Sequence, residues 1–208
     1  MKKTLLAALA SAALLPLPAA GTAPPPDAPE NIARGLMILH GGRMIFSPCR
    51  ERSYVHVDDV SPNGEAASAL RALGLTAERP LYAELFGTAE AGTLRMTGIN
   101  FAHTDARCHA PRHTADTWHA MGGQPAWRLT ATGDVLRVER EAQPDFRAPF
   151  EEQAAGPVTV RLHLAGGTNG HWTLRRGHCL DRENGLVSGW SVQGRLGGET
   201  LAGCAWKP

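Results

Sequence analysis

The chain has 208 residues, of which 43% are hydrophobic and 20% charged, and its formal net charge is +1. A chain this close to neutrality has no basic field for nucleic acid or an anionic membrane surface, so neither is expected as a partner. Its length fits one domain or two small ones.

Residues 1–21 read as a secretory signal peptide. Lys2 and Lys3 supply a positive start, residues 4–15 form an uncharged run, and Pro16, Pro18, Ala19, Ala20 and Gly21 follow. The run is too short for a comfortable bilayer span. No cysteine precedes Cys49, so there is no lipobox. The expected cut is near Ala20, which predicts a periplasmic or secreted protein with no stable membrane insertion after cleavage. Without Lys2 and Lys3 the 21 basic residues fall to 19 against 20 acidic ones. Residues 22–32 carry Pro24, Pro25, Pro26 and Pro29 and read as an extended, semi-rigid linker.

Beyond the linker the chain reads as short strands punctuated by Gly, Pro and Asn. Strands are predicted over 34–39, 43–47, 53–58, 81–87, 93–101, 126–132, 135–140, 158–164, 171–175, 187–196 and 199–205. Trp127, Leu129 and Ala131 alternate with Arg128 and Thr130, the period of a half-buried strand. Residues 166–170 (Gly-Gly-Thr-Asn-Gly) and 132–134 (Thr-Gly-Asp) read as hairpin turns. A helix is predicted over 64–73, where Ala66, Ala69, Leu70 and Leu73 share a face, with Asn63 as N-cap and Gly74 as the stop. The fold class that follows is mostly β: two small antiparallel barrel-like or sandwich-like units, with the short helix in the first. The units are placed at 33–117 and 118–208, with a polar seam at 108–123 broken by Pro111, Gly122 and Gly123.

Four cysteines, Cys49, Cys108, Cys179 and Cys204, follow the export signal. An even, sparse count in an exported chain reads as structural disulfides. The preferred pairing is Cys49 with Cys108 and Cys179 with Cys204, one pair per unit, although four cysteines allow three connectivities.

The chain resembles the exported NlpE-like bacterial lipoprotein group. In that group a phenylalanine shortly precedes a cysteine, as Phe46-Ser47-Pro48-Cys49 does here. A Gly-x-Glu-Pro-Phe-Trp motif opens the group's second part, and Gly122-Gly123-Gln124-Pro125-Ala126-Trp127 stands in that place. Cys179-Leu180-Asp181 and Gly203-Cys204-Ala205 match its closing motifs. Gln124 and Ala126 depart from the pattern, and both the lipobox and a CxxC are missing. The resemblance implies a β-barrel envelope protein with a role in envelope stress or maintenance.

Two constellations could carry chemistry. His103, Cys108, His109, His113 and His119 lie close together in sequence, and His109, His113 and His119 are the candidate metal ligands, for copper or zinc. Trp127, Trp172 and Trp190 are the candidate lining of an apolar ligand pocket, set against the simpler expectation of a packed barrel core. Catalysis has little to stand on. Ser191 sits in Gly189-Trp190-Ser191-Val192-Gln193-Gly194, one residue longer than a nucleophile elbow. Adjacent carboxylates Asp58-Asp59 and Glu151-Glu152 point to opposite faces of a strand. The expected function is therefore a non-catalytic envelope module, without a cofactor, that binds an envelope protein or a small apolar ligand. The alternatives are a metal-handling protein built on the histidines and a hydrolase.

Overall fold

The computed structural model describes residues 31–108, 116–165 and 170–208. The expected export signal, most of the expected proline-rich linker, His109, His113 and residues 166–169 lie outside the described residues. The fold is mostly β, and thirteen strands form one continuous sheet that closes on itself twice.

The first closure uses five strands: β1 (Ile32–His40), β2 (Arg43–Pro48), β3 (Val55–Asp59), β4 (Leu81–Glu90) and β5 (Thr93–His103). β1, β2 and β3 pair in succession, β4 returns to β1, and β5 fits between β4 and β3. The pairing of β3 with β5 is parallel, from His56 opposite Thr93 to Asp59 opposite Met96, so the antiparallel expectation fails for this pair. Parallel neighbours need a crossover, and α1 (Glu65–Leu73) together with β4 supplies it. The ring order 1-2-3-5-4, with a helix between the third and fourth strands, is the arrangement of an OB-fold.

The helix adds Ala66 and Leu70, both fully buried, to one apolar core with Met37, Leu81, Leu85, Met96 and Ile99. Gly74 ends it in a left-handed conformation at φ 114°, as predicted. The N-terminal expectation is corrected: Asn63 lies in a 3-10 turn at φ 53° and caps nothing. Asp59 and Ser61 take over, accepting hydrogen bonds from the amides of Ala67 at 2.8 Å and Ala66 at 3.0 Å. The cap thus comes from the end of β3, because the intervening turn folds the chain back over the first helical amides.

The second closure uses eight strands: β6 (Trp118–Gly122), β7 (Trp127–Thr132), β8 (Val135–Arg140), β9 (Phe146–Ala154), β10 (Thr159–Leu164), β11 (His171–Asp181), β12 (Leu186–Leu196) and β13 (Glu199–Trp206). Each pairs antiparallel with the next, and β13 pairs with β6 to close the ring. Eight strands leave an interior that side chains fill. Trp118, Trp127, Leu129, Leu136, Val138, Leu162, Trp172 and Leu174 fill it here.

Two of these strands escape the sequence reading. β6 falls inside the stretch taken as a polar seam, where Pro111, Gly122 and Gly123 hide a five-residue alternation of buried and half-buried positions. β9 holds Pro149 and the Glu151-Glu152 pair, and no strand is predicted over it although that pair is read as lying on one. Pro149 faces outward opposite Val135.

The barrels share β12. Its first residues, Leu186 to Ser188, pair with β5, and Trp190 to Leu196 pair with β13. The switch falls at Gly189, where an added Cβ would overlap the Ile99 carbonyl oxygen. Val187 accordingly packs into the first core. Both disulfides pair as preferred, Cys49 with Cys108 and Cys179 with Cys204, at Cα–Cα distances of 5.5 and 5.4 Å. The second joins β11 to β13 across β12, beside that switch.

Candidate functional site

The three candidate pocket tryptophans all belong to the core of the eight-stranded barrel. Trp127 and Trp172 pack ring to ring at 5.2 Å, and both are buried. Trp190 is half-buried and meets Trp118 edge-on at 5.2 Å. The guanidinium of Arg176 lies 5.9 Å from the Trp190 ring and 5.6 Å from Phe86, so it bridges the two barrels. Trp118 is an inward residue that strand periodicity did not reach. Its indole N–H donates to the Glu152 carboxylate at 3.0 Å, and the Lys207 ammonium sits 5.3 Å above its ring. Trp127 also borders an open depression of about 310 Å³ edged by Arg128, Glu139 and Asn184.

Of the candidate histidines His109, His113 and His119, only His119 lies within the described residues. His119 lies on β6 with its ring stacked on Trp206 at 5.6 Å. His109 and His113 lie outside the described residues, and Cys108 is committed to its disulfide. Among the described residues no group of three or more His, Cys, Asp or Glu side chains is placed to hold a metal ion.

A buried polar cluster sits on β4 and β5 instead. Tyr82 donates to Glu84 at 2.9 Å, Asn100 donates to the other Glu84 oxygen at 2.8 Å, and the Arg34 guanidinium lies 3.5 Å away. Burial, then the charge and hydrogen bond of Glu84, pushes the Tyr82 phenol well above its usual range. Tyr82 and Asn100 occupy both Glu84 oxygens, and Arg34 meets the carboxylate through charge while its Nε makes no hydrogen bond, so the cluster is a lock on the first barrel rather than an open site.

The open polar surface of the molecule lies elsewhere, on the outside of β11, β12 and β13. Strand alternation sends Trp172, Leu174, Val192, Leu196 and Leu201 inward, all buried, and turns His171, Arg175, Ser191, Gln193, Arg195 and Thr200 outward. Ala202, opposite outward Gln193, is small and leaves the middle of this face low, and the result is a groove of about 570 Å³. It continues past His171 and Arg195 into a second hollow of about 450 Å³ beside Gly170 and Gly198. The outward face extends onto β10 through Arg161, opposite Thr173, and His163, opposite His171. Over β10 to β13 the outward positions of the paired ladder carry three arginines and two histidines but no carboxylate. Among the described residues no carboxylate comes within ion-pair distance of Arg161, Arg175 or Arg195.

No family model, curated protein or solved structure matches the chain. The groove therefore has to be read from its own chemistry. Ser191 faces into it, and among the described residues its hydroxyl donates to the Arg175 carbonyl oxygen, at 3.4 Å, and hydrogen-bonds no histidine. Donors dominate the lining: guanidinium groups, an amide and hydroxyls. Such a surface favours anionic or hydroxyl-rich ligands over apolar ones. Sequence periodicity singled out none of these side chains as a site. It could not show that β10 to β13 gather their basic residues into one face while the chain as a whole stays near neutral.

No helix of the described residues is long and apolar enough to cross a membrane. The two closed disulfides fit an oxidising compartment.

Proposed function

We propose that this is an exported, non-catalytic binding module of the cell envelope, and that the outer groove of β11 to β13 is its ligand site. The observation that carries the reading is the set of unpaired arginines, Arg175 and Arg195 above all, lining a concave polar surface. Exposed arginines on a rigid β scaffold are held in place without a protein counter-charge, so an anionic ligand completes their electrostatics at little reorganisation cost. The isolated Ser191 hydroxyl supports binding rather than nucleophilic chemistry, which needs an adjacent base. The tryptophans support a stable barrel wall behind the groove.

Binding of a polyanion such as dextran sulfate tests the reading. The protein binds it and releases it as salt rises, and a variant with Arg175→Ala and Arg195→Ala loses at least tenfold in affinity while its melting temperature stays unchanged. Equal binding by the double variant would place the site elsewhere on the molecule.

A further inference from the structure

Resting on the groove as the ligand site, we infer that its ligand is an acidic oligosaccharide held at two anionic groups, one at each end of the groove. Arg175 stands on β11 opposite Ser191 of β12. Four residues along β11 from Arg175 comes His171, and four residues along β12 from Ser191 comes Arg195. At ~3.3 Å per residue that separates Arg175 from the His171 and Arg195 end by roughly 13 Å. Between the two ends the outward groups are Thr173 and Gln193, with Ser191 beside Arg175, and all three are neutral donors and acceptors. Basic ends and a hydroxyl-and-amide middle match a sugar chain with hydroxyls along its length and acid groups set apart.

A protein or peptide partner fits less well. Peptides add as strands to free sheet edges, and the sheet is closed in both barrels, leaving none beside the groove. Protein interfaces rely on aromatic or large aliphatic anchors. The one large aliphatic residue lining the groove, Val192, is buried and points inward. The acid groups of the sugar could be uronate carboxylates of a free glycan or phosphates on a glycolipid headgroup, which share the same two-ended chemistry.

Calorimetry with the whole exported chain separates these cases. Digalacturonate, tetragalacturonate, neutral maltotetraose and inorganic phosphate serve as soluble probes. Vesicles carrying a bisphosphorylated disaccharide lipid are compared with phosphatidylglycerol vesicles. The proposal expects tetragalacturonate or the disaccharide-lipid vesicles to bind at least tenfold more tightly than digalacturonate, phosphate or phosphatidylglycerol, because the second contact is then intramolecular. Arg175→Gln and Arg195→Gln each reduce that probe to the affinity of the short one, with unchanged melting temperature. Arg175→Lys, which keeps the charge, retains part of the gain. Equal affinity for the short and long acids, or for both vesicle types, overturns the two-ended proposal but leaves anion binding in the groove. Maltotetraose binding as tightly as tetragalacturonate overturns the need for acid groups. If none of the acidic probes binds, the groove reading fails as well.

Discussion

Glu84 and Gly189 show how much a single position holds in this fold. Glu84 is 7% exposed, and its two carboxylate oxygens are divided between Tyr82 and Asn100, with Arg34 alongside. Replacing it with leucine leaves buried donors unpartnered and costs about 1–3 kcal/mol each where no water reaches them, which chemical denaturation measures. Tyr82 sets an alkaline limit. Its folded value lies above the usual 10.0, so the folded state holds a proton that the unfolded chain gives up. Its contribution to stability is therefore full below pH 10 and is lost as pH climbs beyond it. Tyr82→Phe flattens that fall, as unfolding curves on either side of pH 10 report. At Gly189 the constraint is space. Alanine there would strike the Ile99 carbonyl where β12 changes partners, and the resulting overpacking costs ~1–3 kcal/mol. Both positions look ordinary in sequence. A glutamate in an alternating strand reads as exposed, and a glycine in a strand reads as a weak point rather than a crossing.

At the scale of elements, local pattern and long-range demand divide cleanly. β7 and β8 follow from Trp127, Leu129 and Ala131 and from the Gly133-Asp134 turn, because their whole signal lies within a dozen residues. β6 and β9 do not. β6 is five residues long beside Gly123 and is held by β13, far along the chain, and β9 is interrupted by Pro149 and ends in a charged and polar run. The helix cap makes the same point, since Asp59 reaches Ala67 over a separation of eight residues. Asp59→Ala removes that acceptor and lowers stability by ~0.5–2 kcal/mol, a loss that thermal unfolding should register. The disulfides act on larger loops. Closing 59 residues between Cys49 and Cys108 contributes roughly 4 kcal/mol by loop entropy, and closing 25 between Cys179 and Cys204 roughly 3.5. Replacing either pair with alanines shifts the denaturant midpoint downward by a corresponding amount.

For the molecule as a whole, the shared strand makes the two barrels a single folded body. β12 lends Val187 to the first core, Arg176 spans Phe86 and Trp190, and α1 touches β11 and β12. The groove on the outer wall is accordingly backed by a stiff surface. Binding there is expected to weaken steadily between low and physiological salt, since its charged contacts are solvent-facing and screened over about 8–10 Å; a salt titration of the polyanion complex measures this. The amino-acid sequence by itself determined the β character, the alternation that sends Trp127 inward and Arg128 outward, the helix and its glycine stop, and an even cysteine set. These are local properties, written in periods of two and three to four residues and in turn chemistry. Only the tertiary structure decided the parallel pairing of β3 with β5, the closure of two rings from one sheet, and the convergence of Arg161, Arg175 and Arg195 on one outer face. Those depend on which distant strands become neighbours, and that choice is made by burying both cores together rather than by any one segment.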